Sequence, residues 1–252
     1  MVKGLDIFRE RFRGYSDRYV LIGGTACDLA MGEAGLEFRA TKDLDIVLCV
    51  EALDTAFVEA FWAFVRDGGY QVQEKAEGDK QFYRFQKPKS ENYPFMLELF
   101  SRSPDGLPIA QGSHLTPIPT AEEVSSLSAI LMDAEYYGFI RSATRNIGDL
   151  PVVGPEGLIP LKARAWLDLT ERKAKGEAID SRDIRKHKND VFRLYQIVDP
   201  EMMLEIPDKV KADMAAFVTR MASEGVDLKV PGMPKTDLES ILADLGKLYH
   251  IA

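Results

Sequence analysis

The first half of the chain alternates short apolar runs with segments of helical spacing. Residues 19–22 form a β-rich run that stops at Gly23-Gly24, and apolar residues with helical spacing follow over residues 25–31. Residues 44–50 are apolar almost without interruption, apart from Asp45, as in a strand buried on both faces. The pattern therefore predicts two strands, with a strand-to-helix turn at the two glycines.

The helical and the strand spacing of apolar residues predict further elements of the first half. Helical spacing predicts helices over residues 5–13 and 52–66, the second of which ends at Gly68-Gly69. Thr120 and Glu123 have the spacing of a capping box, which predicts the start of a helix. Strands are predicted over five more segments, of which the last two would form a hairpin or edge strands: 70–75, 81–86, 95–100, 136–140 and 150–153.

From Pro155 onward the spacing of apolar residues is helical throughout. One helix follows Pro155 directly, a second begins near Asp180, and two more fit residues 207–223 and 236–248. We therefore expect an α+β protein with two domains. Residues 1–150 would form an α/β domain, and residues 151–252 an all-helical domain.

Composition and charge exclude several classes of protein. The chain has 252 residues, 46% hydrophobic and 29% charged, which excludes a fibrous or disordered chain. A net charge of −8 argues against coating nucleic acid by bulk charge, but it leaves room for a local basic cleft. Two cysteines cannot form a disulfide framework, and the sequence shows no signal peptide and no membrane span. These features predict a reduced, cytoplasmic protein.

Asp43 and Asp45 stand at the head of the predicted buried strand. Residues two apart in a strand point to the same face, so the two carboxylates would lie side by side. Arg39 and Thr41 would join them if the strand began early enough. Buried carboxylates require compensation, and a divalent cation is one natural partner. A solvent-exposed strand end, or an ion pair with Arg39, is the alternative.

The turn Gly23-Gly24-Thr25 is a candidate phosphate-binding element. Glycine lets backbone N–H groups approach an anion closely, and the N-terminus of a helix favours phosphate. A tight turn without any ligand is the simpler interpretation of the same residues.

Glu98 is a lone carboxylate in the otherwise apolar strand predicted over residues 95–100. Glutamate in such a strand is either buried and paired or placed at a functional edge of the sheet. Glu98 is therefore a candidate third metal ligand from a neighbouring strand, and a solvent-facing glutamate on a half-exposed strand is the alternative.

The helix that begins near Asp180 carries polar residues on its apolar face. When it is projected at 100° per residue, Lys188 and His187 lie within about 40° and about 60° of the centre of the apolar stripe, and Asp190 lies at the border. A polar cleft beside this face would explain them, and a lysine that reaches past the core to water is the alternative. No Cys or second His stands at ligand spacing from His187, so we do not expect it to bind a metal.

Taken together, Gly23-Gly24, Asp43-x-Asp45 and the strand with Glu98 resemble the nucleotidyltransferase superfamily of polymerase β type. More narrowly, the chain resembles the AbiEii-type toxin nucleotidyltransferases of bacterial toxin–antitoxin and phage-abortive systems. The resemblance covers roughly residues 18–200. The narrower match rests on three stretches: 39–46, 158–165 with Lys162, and 183–191 with Lys188 and Asp190.

The resemblance implies a fold and a chemistry. The fold would be a mixed sheet with flanking helices, followed by a helical domain that completes the cleft for nucleotide and acceptor. The enzyme would move an NMP from an NTP to an acceptor hydroxyl with the help of one or two Mg²⁺ ions. Asp43, Asp45 and Glu98 would hold the metal, although the superfamily more often has Asp as the third acid.

Other residues would contact the nucleotide in such an enzyme. Lys162 would act as the counter-charge of the triphosphate, and Glu98 would bind a second metal or act as the base on the acceptor hydroxyl. The resemblance implies that the nucleotide site includes the following residues: Gly23, Gly24, Thr25, Arg39, Thr41, Lys188 and Asp190.

The AbiEii resemblance also implies partners. The acceptor would be RNA, for example the 3′ end of a tRNA, and a separate antitoxin protein would restrain the enzyme. No membrane partner is expected. Two alternatives stay open: a nucleotidyltransferase that modifies a small molecule such as an antibiotic, or a protein, and a non-catalytic relative that only binds nucleotide.

Overall fold

A computed structural model of the chain describes residues 2–49, 54–72, 82–100, 133–199, 201–202 and 204–251. The chain divides into two compact units. The first consists of Met1–Val124 and Thr144–Gly154, and the second of Ser125–Ala143 and Pro155–Ala252.

A mixed sheet forms the centre of the first unit, and seven of its strands lie among the described residues. Their order across the sheet is β3-β4-β5-β2-β1-β7-β6. Strands β2 and β5 are parallel, as are β1 and β7, and the other neighbouring pairs are antiparallel. The mixed sheet is confirmed. The strands are β1 Tyr19–Ile22, β2 Asp43–Leu48, β3 Gln71–Val72, β4 Phe82–Gln86, β5 Met96–Phe100, β6 Thr144–Ile147 and β7 Leu150–Val153.

Three helices of the first unit accompany this sheet: α1 Leu5–Phe12, α2 Gly23–Glu33 and α3 Thr55–Gly68. Aromatic rings join α1 and α3 to one face of the sheet. Phe8 on α1 meets Tyr19 on β1 at a centroid distance of 5.4 Å, and Phe61 on α3 meets Phe85 on β4 at 5.7 Å. As the sequence predicts, α3 ends at the glycine pair, and Gly69 has φ 63°. The sheet face opposite these aromatics carries the polar site residues.

The described part of the second unit is helical, and the helices predicted from Pro155 onward are confirmed. Its helices are α4 Ala134–Ser142, α5 Pro155–Ala174, α6 Ser181–Tyr195, α7 Asp208–Ser223 and α8 Leu238–Leu248. Trp166 on α5 and Phe192 on α6 both pack against Phe217 on α7, at centroid distances of 5.4 and 6.4 Å. None of the helices in the described ranges is long and apolar enough to cross a membrane.

The predicted strand over residues 136–140 is wrong, because this segment is part of helix α4. The side chain of Asp133 accepts hydrogen bonds from the backbone N–H groups of Glu135 and Tyr136 and thereby caps the helix. The aromatic residues that favour a strand locally are instead buried on one side of a helix. Strand 150–153 is confirmed, but its hairpin partner is β6. The predicted helix start at Thr120, and residues 73–75 of a predicted strand, lie outside the described residues.

Candidate active site

Strand β2 places two carboxylates on one face of the sheet. Its apolar residues Leu44, Ile46 and Leu48 are at most 1% exposed, and they alternate with Asp43 and Asp45. Asp45 is itself only 8% exposed, whereas Asp43 at the head of the strand is half-buried. The two carboxylates therefore lie where the alternation along the sequence predicts them.

The glycine turn packs directly against these carboxylates. Gly23 has φ +67°, and a Cβ atom on it would lie 1.7 Å from Asp45 Oδ2. The Gly24 N–H donates a hydrogen bond to the same oxygen at 3.4 Å, and a Cβ on Gly24 would lie 2.4 Å from Thr41 Oγ1. Only glycine allows both approaches. The turn at the start of α2 and the acidic face of β2 thus form one packed unit.

The other predicted nucleotide-binding residues of the first unit differ in their surroundings. Thr25 is fully buried, and its hydroxyl donates to the backbone oxygen of Asp43 at 2.6 Å, which ties α2 to β2. Strand β2 begins only at Asp43, so Arg39 and Thr41 precede it and do not extend the row of carboxylates. Thr41 lies against Gly24, and the Arg39 guanidinium lies 5.1 Å from the ring centroid of Phe38.

Glu98 lies on the strand next to that of Asp45, and its side chain is bound to an arginine. Asp45 is the register partner of Glu98 in the parallel pair β2–β5, and Glu98 is the partner of Arg84 in the antiparallel pair β4–β5. Nε and Nη2 of Arg84 lie 2.7 and 2.5 Å from Oε1 of Glu98. The sequence prediction did not single out Arg84. The sequence feature that could have identified Arg84 is a lone arginine in an aromatic strand, followed by a strand with a lone glutamate.

In the second unit, Lys162 and Asp190 form a buried ion pair. Lys162 Nζ lies 3.6 Å from Asp190 Oδ2, and the two side chains are 4% and 0% exposed. The other oxygen, Oδ1, accepts from Arg193 at 3.0 Å. Asp190 is fully buried, because α6 packs closely against α5, which carries Lys162. Lys188 is half-buried and pairs with Glu224 at 3.6 Å.

A family model decides the class of the protein. The model described as "Nucleotidyl transferase AbiEii toxin, Type IV TA system" matches residues 7–244 of the 252. The chain belongs to the AbiEii nucleotidyl transferase family. The resemblance drawn from the motifs is thereby confirmed, and the protein is classed as a nucleotidyltransferase enzyme.

Two solved structures are similar to this AbiEii-family chain. One is an antigenic nucleotidyltransferase-like protein from Paracoccidioides brasiliensis, with 15% sequence identity, coverage of 94% of this chain and 89% of that chain, and a TM-score of 0.45. The other is the Megavirus polyadenylate synthase, with 13% identity, coverage of 88% of this chain and 36% of that chain, and a TM-score of 0.42. A search of curated proteins found no match.

The acidic face of this AbiEii-family chain fits a divalent cation in part. Asp43 and Asp45 present the hard oxygen donors that Mg²⁺ prefers, on adjacent same-face positions of one strand. Across the described ranges, no three His, Cys, Asp or Glu side chains converge as a metal site requires. The third predicted ligand, Glu98, is instead bound to Arg84. The aspartate pair is therefore in place, and Glu98 has another partner.

Removal of Asp190 is expected to destabilise the helical unit. An Asp190→Ala variant leaves Lys162 buried without its carboxylate, and removing one partner of a buried ion pair costs about 3–5 kcal/mol. Urea unfolding should show this loss of free energy. Asp183→Ala on the same helix removes an exposed carboxylate and should change stability by less than about 0.5 kcal/mol. Equal stability of the two variants would contradict the structural role of the pair.

Proposed function

We propose that this AbiEii-family enzyme is a Mg²⁺-dependent nucleotidyltransferase that moves an NMP from an NTP to a hydroxyl group of RNA. A separate antitoxin protein restrains it, in keeping with the toxin–antitoxin description of its family. One observation carries the proposal: the paired carboxylates Asp43 and Asp45 are packed against the glycine turn at the N-terminus of α2. Backbone N–H groups suited to an anion and carboxylates suited to a cation thus lie side by side.

Each part of this arrangement has a defined task in the proposed reaction. Asp43 and Asp45 hold the divalent cation, which supplies charge stabilisation at the phosphates during in-line displacement. The Gly24 N–H orients Asp45 through Oδ2, and the Thr25 hydroxyl orients the backbone at Asp43. The N-terminus of α2 provides N–H groups and a partial positive charge that favour the triphosphate.

Residues outside the aspartate pair complete the proposal. Arg39 and Thr41, in the segment before β2, contact the nucleotide, and Glu98 serves as the third acid. In the second unit we assign Lys162 to the charge of the triphosphate and Lys188 and Asp190 to nucleotide binding. The ion pair within that unit adds one detail, since Asp190 holds the ammonium group of Lys162.

The RNA acceptor is supported by an exposed aromatic ring and a cation at the end of the sheet where Asp43 lies. Phe95 precedes β5, Lys42 precedes β2, and these parallel strands begin at the same end of the sheet as Asp43. Phe95 is 53% exposed, and Lys42 Nζ lies 5.9 Å from the centroid of its ring. An exposed ring stacks on an unpaired base, and an ammonium beside it attracts a phosphate, as in proteins that bind single-stranded RNA.

The proposal is tested by incubating the purified chain with each labelled NTP, Mg²⁺ and total RNA. Label on RNA, dependent on Mg²⁺ and lost in Asp43→Asn, is the expected result. Label on protein or on small molecules alone would contradict the RNA acceptor. Absence of both labelling and NTP binding would contradict the proposed enzyme activity.

A Phe95→Ala variant is expected to weaken the use of RNA. Stacking on an aromatic ring contributes about 1–3 kcal/mol per base, so KM for RNA should rise roughly fivefold or more. The KM for NTP should stay unchanged, because the metal-binding carboxylates are untouched. Leu36→Ala is the matched control, since Leu36 is also an exposed apolar residue of the first unit, 40% exposed. An unchanged KM for RNA in Phe95→Ala would remove this ring from the acceptor site.

A further inference from the structure

A polar row crosses three strands on the site face of the sheet. Register places Asp45 on β2 opposite Glu98 on β5, and Glu98 opposite Arg84 on β4. The side chains of Arg84 and Glu98 are only 15% and 18% exposed. Arg84 is thus a cation that strand pairing places next to Glu98.

The contact between Arg84 and Glu98 is concentrated on one oxygen. Nε at 2.7 Å and Nη2 at 2.5 Å both approach Oε1 of the carboxylate. Charge-assisted bonds of this length are strong, and the rigid guanidinium fork keeps both donors aligned. Moreover, a mostly buried glutamate is stable as an anion only with a partner of opposite charge. Any second cation at Glu98 must therefore compete with the guanidinium.

We propose that Arg84 is an internal competitor for divalent cations at Glu98. With Arg84 in place, the first cation binds to Asp43 and Asp45. Glu98 binds a second cation only when that cation displaces the Arg84 guanidinium from it. Arg84 thereby sets the concentration at which a second cation binds. It is a positioning residue, because it acts through Glu98. This inference rests on the proposed cation site at Asp43 and Asp45.

The test measures binding of Mn²⁺ to the full chain without nucleotide. Binding is followed by calorimetry and by the electron paramagnetic resonance signal of free Mn²⁺. The wild-type protein should show one tighter site and one weaker site. Arg84→Met removes the charge and keeps much of the apolar volume. It should tighten the weaker site by at least about tenfold, because a positive charge within a few ångströms is lost.

Two controls separate this effect from a change in overall charge. Arg66 is an exposed arginine of the same unit, so Arg66→Met makes the same change in net charge and should leave both sites unchanged. The double variant Arg84→Met with Glu98→Gln should lose the tightened second site, because the carboxylate that gains the cation is gone.

The outcomes distinguish this inference from the proposed function. Mn²⁺ binding that is absent, or unaffected by Asp43→Asn and Asp45→Asn, would overturn the cation site itself. Binding that depends on the aspartates but is the same in Arg84→Met would overturn the role of Arg84 alone. If Arg84→Met does not fold, Arg84→Lys decides instead. It replaces the fork with a single ammonium and should tighten the second site, and no change would overturn the proposal.

Discussion

A Gly23→Ala variant is expected to lose nucleotide transfer and part of its stability. A Cβ at this position would lie 1.7 Å from Asp45 Oδ2, so the carboxylate and the turn cannot both keep their places. The positive φ of +67° adds strain of about 1–3 kcal/mol for a residue with a side chain. A shift of about 1 Å in a catalytic group costs on the order of a hundredfold in rate. We therefore expect at least that loss in kcat, together with a lower Tm.

The measurement is the rate of label transfer from NTP, combined with thermal unfolding of the same preparation. Gly32→Ala is the matched control because Gly32 lies in the same helix, lacks a positive φ and offers open space to an added Cβ atom. Its activity should be unchanged, and its stability equal or up to about 1 kcal/mol higher, since alanine favours a helix. Equal activity of Gly23→Ala and Gly32→Ala would show that the turn does not constrain the site.

Asp45→Asn is expected to abolish transfer while the fold is retained. The amide keeps the volume of the side chain and an oxygen that can accept the Gly24 N–H, but it removes the negative charge that the cation requires. Loss of residues that merely orient metal ligands costs about 10–100-fold, so the loss of a direct ligand should cost at least about a hundredfold. Asp43→Asn should behave in the same way.

Cation binding provides a second readout for the aspartate variants. Mg²⁺ should raise the Tm of the wild-type protein, because a ligand that binds only the folded state stabilises it, and the shift should vanish in Asp45→Asn. Glu37→Gln is the control for a lost acidic charge, since Glu37 is exposed in the segment before β2. Transfer that survives in both aspartate variants would refute the assignment of the metal to this face.

Much of the first unit follows from patterns that are local in sequence. Alternation along β2 predicts that Asp43 and Asp45 share a face, because the direction of a strand side chain depends only on its parity. The glycine pair at residues 23–24 predicts a strand-to-helix turn, and the pair at residues 68–69 predicts the end of α3. The helices after Pro155 follow from apolar spacing in the same way. In these cases the backbone within a few residues decides the structure.

Tertiary structure alone decided which distant side chains meet. Arg84 and Glu98 come together because β4 and β5 pair in one particular register, and a local pattern does not specify register between strands. Helix α4 forms where local preference favours a strand, since burial and the Asp133 cap outweigh propensity. Asp190 is buried as one partner of an ion pair because α5 carries Lys162 against it. The sequence by itself determined the elements and the candidate acids, and packing between elements determined the partner of each charge.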